Sequence, residues 1–198
     1  MVTLYLIRHG QTELNKAGVF LGSRDEALNG LGMEQSKTIR EVMKTKELDC
    51  IITSPLKRCY DTAACIASGR SLSINIAEGF KEMDFGLWEG MHHRDISLQY
   101  PKEWSIGVNN WKDMHPAKGE SFRDFYTRVS EAGKELLKMQ EGKKVALISH
   151  DGPMKVIASF LLNLGMDGFW NFHFEHGKYS LFEIEEGHCT IRKINSIE

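Results

Sequence analysis

Val2-Thr3-Leu4-Tyr5-Leu6-Ile7 runs straight into Arg8-His9-Gly10. An apolar run of this length, without polar alternation, is the pattern of a strand buried on both faces, as in a parallel sheet covered by helices on each side. Such a strand delivers Arg8 and His9 together to its carboxyl end. Gly10 lets the backbone turn sharply and approach a ligand closely. Arg8 brings a permanent charge and a planar fork of donors suited to phosphate, and His9 brings an imidazole to the same spot.

The pattern recurs. Lys144-Val145-Ala146-Leu147-Ile148 is a second apolar run and ends in Ser149-His150-Asp151-Gly152. A third, Cys50-Ile51-Ile52-Thr53, precedes Ser54-Pro55-Leu56-Lys57-Arg58. There Ser54 is expected to cap a helix whose first residue is Pro55, with Arg58 in the first turn. In open α/β sheets ligands gather beyond the carboxyl ends of the strands, where helix N-termini point free N–H groups at anions. Arg8, His9, Arg58 and His150 are therefore expected to meet in one pocket. Glu82 lies in Phe80-Lys81-Glu82-Met83-Asp84-Phe85-Gly86-Leu87-Trp88-Glu89-Gly90, a stretch too rich in aromatics and glycine for an ordinary solvated loop. Its carboxyl is the candidate proton carrier, with Asp84 and Glu89 as rivals.

Strands are expected at 2–7, 50–53, 73–76, 144–149, 179–185 and 190–195, and helices at 30–44, 56–67, 121–139 and 153–163. This alternation predicts an α/β fold, a three-layer α/β/α sandwich on a mostly parallel mixed sheet, with Glu186-Gly187 turning an antiparallel edge hairpin. Phe122, Phe125, Val129 and Leu136 recur at helical spacing, and Ser121 with Asp124 marks the start of their helix. Residues 86–118 break the alternation and carry Trp104, Trp111, His92 and His93. They are expected to form a small inserted cap on a single domain spanning 1–198.

The chain has 198 residues, 41% hydrophobic and 26% charged, with a net charge of −2. This is the composition of a soluble globule and gives no footprint for nucleic acid. A core strand directly after Met1 leaves no room for a targeting leader, and no apolar stretch approaches a membrane span, so a cytoplasmic protein is expected, with no membrane partner. Cys50, Cys59, Cys65 and Cys189 lack Cys-x-x-Cys spacing and are expected as reduced, mainly core, thiols. His92-His93, His173 and His176 have no accompanying ligand cluster and are expected as surface or substrate-contact residues, with no metal site and no cofactor.

In order along the chain, Arg8-His9-Gly10-Gln11-Thr12 with Asn15, Leu28 with Gly32 and Gln35, and Ser54-Pro55-Leu56-Lys57-Arg58 with Thr62-Ala63 form an ordered set. Glu82 with Phe85-Gly86 and Trp88-Glu89-Gly90, then Gly119-Glu120-Ser121, then Ser149-His150-Asp151-Gly152 complete it. The set resembles the histidine phosphatase superfamily in its phosphoglycerate-mutase-like branch. The resemblance implies that His9 is the nucleophile that forms a phosphohistidine, that Arg8 and Arg58 bind phosphate, and that Glu82 is general acid and then base. It implies for His150 a donor role toward the phosphate oxygens, and for Asn15, Gln11, Leu21, Gly22 and Asp151 places around the pocket. It also puts the cap over the phosphate site, with Trp104 and Trp111 either packing it or stacking on substrate. The partner implied is a small-molecule phosphomonoester; a homodimer is left open. Cys59 and Asp61 stand where the family commonly has Ala and Gln, and Asp61 is near enough in sequence to offset the charge of Arg58. Within the branch, residues 115–129 and the cap look most like the α-ribazole phosphatases, which remove the 5′-phosphate from a cobalamin nucleotide-loop precursor. A broad-specificity phosphatase, a phosphoglycerate-mutase-type transferase and a non-catalytic phosphate-binding module are the other readings. The absence of a long covering insertion and tail favours hydrolysis over transfer.

Overall fold

A computed structural model describes residues 1–198. Its strands are β1 (Val2–Arg8), β2 (Cys50–Thr53), β3 (Ile74–Ile76), β4 (Lys144–Ser149), β5 (Tyr179–Glu185) and β6 (His188–Ser196). They form one sheet in the order β3-β2-β4-β1-β5-β6. The first four positions are parallel, and β5 and β6 close the far side as antiparallel strands.

Successive side chains along β1 go to opposite faces, and both faces are covered. Leu4 and Leu6, with Val145 and Leu147 of β4, pack beneath α6 (Phe122–Met139) and α7 (Asp151–Leu161). Tyr5 and Ile7, with Ala146 and Ile148, pack beneath α2 (Gly30–Lys44) and α3 (Lys57–Ala67). This produces the three-layer sandwich and explains the unbroken apolar run. Leu6 and Ile7 have 0% exposure, and burial of each side chain contributes about 1.5–3 kcal/mol relative to leaving it in water. Glu186 and Gly187 turn the edge hairpin with φ of 48° and 79°, the left-handed pair that suits strand twist in a two-residue turn.

The β1–β4 register decides where the chemistry goes. Arg8 lies opposite Ser149, so the next residue of each parallel strand, His9 and His150, leaves the sheet side by side.

Four expectations are corrected. The helix carrying Arg58 begins at Lys57, after an extended Leu56, so Pro55 is not its first residue and Ser54 is not its cap. The Ser54 hydroxyl is drawn instead to His150 Nε2 at 2.9 Å. The last long helix, α7, begins at Asp151 with His150 as its N-cap, not at Pro153; proline is tolerated in a first turn because its missing N–H would have had no helical partner there. Gly10 does not turn the chain through a positive φ. A Cβ there would lie 2.3 Å from Gly32 O, so Gly10 is needed for close contact between the strand end and the start of α2. Finally, 86–118 contains two helices, α4 (His93–Gln99) and α5 (Pro101–Asn109), of which only Ile96 is buried. One more short helix, α1 (Glu13–Ala17), is closed by a Thr12–Asn15 capping box.

Candidate active site

His9 is 2% exposed, and its backbone N–H is tied to Ser149 O across the two strands. Its Nδ1 lies 2.6 Å from Gly10 O. A carbonyl can only accept, so Nδ1 carries the proton and Nε2 keeps its lone pair. Burial, then the Arg58 guanidinium, His176 and Arg8, hold its pKa well below the ordinary histidine range. The neutral form that a nucleophile needs is therefore the resting form.

His176 is a site residue that its sequence context did not reveal. Its Nδ1 lies 3.0 Å from His9 O, with the two rings 5.1 Å apart. Its pKa is lowered to about 4, first by burial and then by Arg8. Neutral, it donates to the His9 carbonyl and braces the His9 backbone. No sequence motif surrounds His176, since the loop before β5 is brought to His9 only by the antiparallel pairing.

Arg58 is the second fully buried large side chain of the site, at 1% exposure. Its Nε donates to His150 Nδ1 at 3.1 Å, Nη1 to Arg24 O at 2.6 Å and Nη2 to Gly22 O at 2.8 Å. All three acceptors are neutral, so the charge is held in place without being cancelled. Asp61 does not offset it, because that carboxylate pairs with Lys57 at 3.6 Å. An uncompensated buried cation is costly unless an anion arrives. Arg8 sits opposite, donating to Phe174 O at 2.5 Å and facing Asp151 at 3.6 Å.

His150 differs from expectation. With Nδ1 accepting from Arg58, its proton sits on Nε2 and is given to Ser54 Oγ. Burial followed by Arg58, His9 and Arg8 hold its pKa well below the ordinary range. It does not line the cavity. In this geometry it orients Arg58 and spends its one proton on Ser54, so the phosphate-donor role does not follow from it. Cys59 Sγ, 3.4 Å from His150 Nε2, is pushed far up in pKa by burial and stays a thiol.

Glu82 stands across the cavity, its carboxyl near the amides of Met83 at 3.0 Å and Gly152 at 3.3 Å. Burial raises its pKa, Asp151 adding to the rise, while the Met83 bond and Arg58 oppose it. Its rivals are committed elsewhere: Asp84 accepts from Gly86 N at 2.8 Å, and Glu89 from Ser23 N at 2.6 Å. Neither lines the cavity.

The cavity itself has a volume of about 420 Å³ and is lined by Arg8, His9, Arg58 and Glu82 at one end, with Asn15, Leu21, Gly22 and Asp151 around them. Asn15 lines the cavity, as expected, and also forms the capping box at the start of α1. Its Oδ1 accepts from Thr12 N at 3.1 Å. Gln11 is a correction: its Oε1 accepts from Asn29 and its backbone N–H donates to Gln35, and it stays outside the lining. Trp104 and Trp111 line the cavity and also pack the cap. Trp104 meets Trp88 with ring centroids 5.8 Å apart, and Trp111 lies nearly parallel to Phe169 at the same separation. Phe122, Phe125, Phe169, Trp170 and Lys155 complete an aromatic wall that no motif announced. No group of three or more His, Cys, Asp or Glu side chains is placed to hold a metal ion. No helix is long and apolar enough to cross a membrane.

A fully buried and a partly buried guanidinium at the carboxyl ends of parallel strands, beside a neutral imidazole and a protonatable carboxyl, mark the protein as a phosphatase of the α/β class. The family profile of the histidine phosphatase superfamily, branch 1, matches residues 4–197. The adenosylcobalamin/alpha-ribazole phosphatase of Escherichia coli (strain K12) is 31% identical over 193 residues, covering 98% of this chain and 95% of the relative. Phosphoserine phosphatase 1 of Hydrogenobacter thermophilus is 32% identical over 195 residues, covering 98% and 92%. The crystal structure of a putative alpha-ribazole-5′-P phosphatase from Escherichia coli superimposes with a TM-score of 0.95 at 30% identity, covering 99% of this chain and 97% of that one. The chain belongs to the histidine phosphatase superfamily.

Proposed function

We propose that the protein hydrolyses a small-metabolite phosphomonoester through a phosphohistidine on His9. The observation that carries this is the single tautomer of His9, with Nδ1–H bound to Gly10 O and the lone pair of Nε2 left beside the uncompensated charge of Arg58. The substrate phosphate brings about two negative charges at neutral pH, which Arg8 and Arg58 receive. His9 Nε2 attacks phosphorus as the bond to the leaving oxygen breaks, and protonated Glu82 gives that oxygen its proton. The leaving alcohol departs. Water then attacks the phosphohistidine, ionised Glu82 takes the water's proton, and the N–P bond breaks to restore His9. Arg58, held by His150, Gly22 and Arg24, stabilises the transferring phosphoryl in both steps with little reorganisation.

The substrate we favour is α-ribazole 5′-phosphate. Similarity to the Escherichia coli phosphatase supports it, and so does a cavity lined by Trp104, Trp111, Phe169 and Trp170, which suits a planar base. Phosphoserine is the second reading, supported by the similarity to the Hydrogenobacter enzyme; it would leave the aromatic wall unfilled. The test is turnover of a panel containing α-ribazole 5′-phosphate, phosphoserine, 3-phosphoglycerate and p-nitrophenyl phosphate. The expected result is the highest kcat/KM on α-ribazole 5′-phosphate, with inorganic phosphate as product. A preference for phosphoserine would replace the substrate, equal rates on all would make the enzyme broad in specificity, and a phosphate moved to a second alcohol in place of water would make it a transferase.

A further inference from the structure

Lys155 is the one lysine lining the cavity, and it is out of character with its surroundings. It lies on α7 between Met154 and Val156, and only 7% of it is exposed. Its Nζ is 2.7 Å from Asp151 Oδ2, 4.9 Å from the centre of the Trp170 ring and 5.5 Å from that of Phe169. An ammonium has three N–H donors. Asp151 is its only ion-pair partner, so donors are left over against the aromatic wall. Asp151 is also shared with Arg8.

The charge balance narrows what those donors meet. With Glu82 in the protonated form that its acid role requires, Arg8, Arg58 and Lys155 face the single Asp151 carboxylate. The cavity then carries two net positive charges, which a phosphomonoester dianion neutralises by itself. A leaving group with a further net negative charge would overshoot this balance. A neutral group with a lone pair would not, and it would fit a donor set among aromatic faces.

We propose that Lys155 is a specificity-determining residue that donates a hydrogen bond to a neutral lone-pair nitrogen in a planar heteroaromatic ring of the leaving group. The inference rests on the aromatic-ester reading of the cavity and deepens it, since the benzimidazole of α-ribazole carries such a nitrogen. The contact is made to the leaving group's ring and not to the transferring phosphoryl, so it acts on binding more than on the chemical step.

The experiment compares α-ribazole 5′-phosphate with its analogue in which the free ring nitrogen is replaced by C–H, on the wild type and on Lys155→Met. Methionine keeps the length and apolar body of the side chain and removes the donors. The wild type is expected to favour the nitrogen-bearing ester by about ten- to hundred-fold in kcat/KM, mainly through KM, as a hydrogen bond to a charged donor implies. Lys155→Met is expected to lose the discrimination, so that its rates on the two esters converge, whatever the loss of one positive charge costs on both. Equal wild-type rates on the two esters would overturn the inference even without the variant. So would a Lys155→Met loss equal on both esters, which would make Lys155 a support for Asp151. The substrate reading is judged separately, by α-ribazole 5′-phosphate against phosphoserine on the wild type. If that preference fails while the nitrogen effect and its loss in Lys155→Met persist, Lys155 keeps its role and only the named substrate changes.

Discussion

At the scale of single residues, the site depends on keeping two titratable groups in their unusual protonation states. Glu82 is held protonated to higher pH than a free carboxyl, chiefly by burial. A folded-state pKa above the unfolded one contributes stability that is complete below the ordinary value of 4.5 and is lost as pH rises through the raised value. Glu82→Gln removes this pH-dependent loss. Thermal melts should therefore show the variant gaining on the wild type as pH is raised from about 4 to 8, while its turnover falls by about 10²–10⁴-fold. A constant difference in melting temperature across that range would mean that Glu82 is not desolvated as described. His9 and His150 shift the other way and cost stability as pH falls through the ordinary histidine value of 6.5; both proteins carry them, so the comparison isolates Glu82. Arg8, His9, Arg58 and Glu82 were legible in the sequence because each sits at a strand end or in a short dense motif. Lys155 and His176 were not: Lys155 pairs with Asp151 one turn away on α7, but its place against Phe169 and Trp170 comes from tertiary packing, and His176 reaches His9 through the β1–β5 pairing.

At the scale of elements, the start of α7 couples the sheet to the acid. Gly152 N lies against Glu82, and a Cβ at Gly152 would fall 2.3 Å from Glu82 Oε1 and 3.1 Å from the Phe125 ring. Gly152→Ala should leave the fold intact by circular dichroism and reduce kcat by about 10²-fold, with KM less affected, because it displaces Glu82, the proton carrier of the proposed mechanism, and no phosphate ligand. Unchanged kcat would show that Glu82 moves aside at no cost. In the cap, Trp111 faces Phe122, Phe169 and Trp170, the same wall that holds Lys155. Trp111→Ala should therefore weaken an aromatic ester relative to a small generic one by about 1–3 kcal/mol in kcat/KM; equal losses would give Trp111 a packing role alone. The long elements of the sandwich could be read from the sequence because their periodicity extends over enough residues, and the caps at Asn29 and Ser121 are local chemistry. The short helices α1, α4 and α5 could not, being five, seven and nine residues long with almost no buried face to leave a pattern. Ser54 misled because a hydroxyl that looks like a cap locally is claimed by His150, 96 positions away in sequence.

At the scale of the whole molecule, the doubly covered sheet exists to put β1 and β4 adjacent, parallel and in register, so that the residues after them converge where α7 begins. Burying that convergence makes His9 neutral and leaves Arg58 charged without a carboxylate partner. On the proposed mechanism these features make His9 Nε2 the group that takes the phosphoryl. The direct measurement is rapid quenching of the enzyme with ³²P-labelled substrate, followed by peptide mapping. The account predicts a base-stable, acid-labile phosphoryl group on the peptide containing His9, formed within one turnover and absent in His9→Ala, whose turnover falls below about one thousandth of wild type. Full-rate hydrolysis with no labelled peptide, or substantial turnover by His9→Ala, would mean direct attack by water and would contradict it.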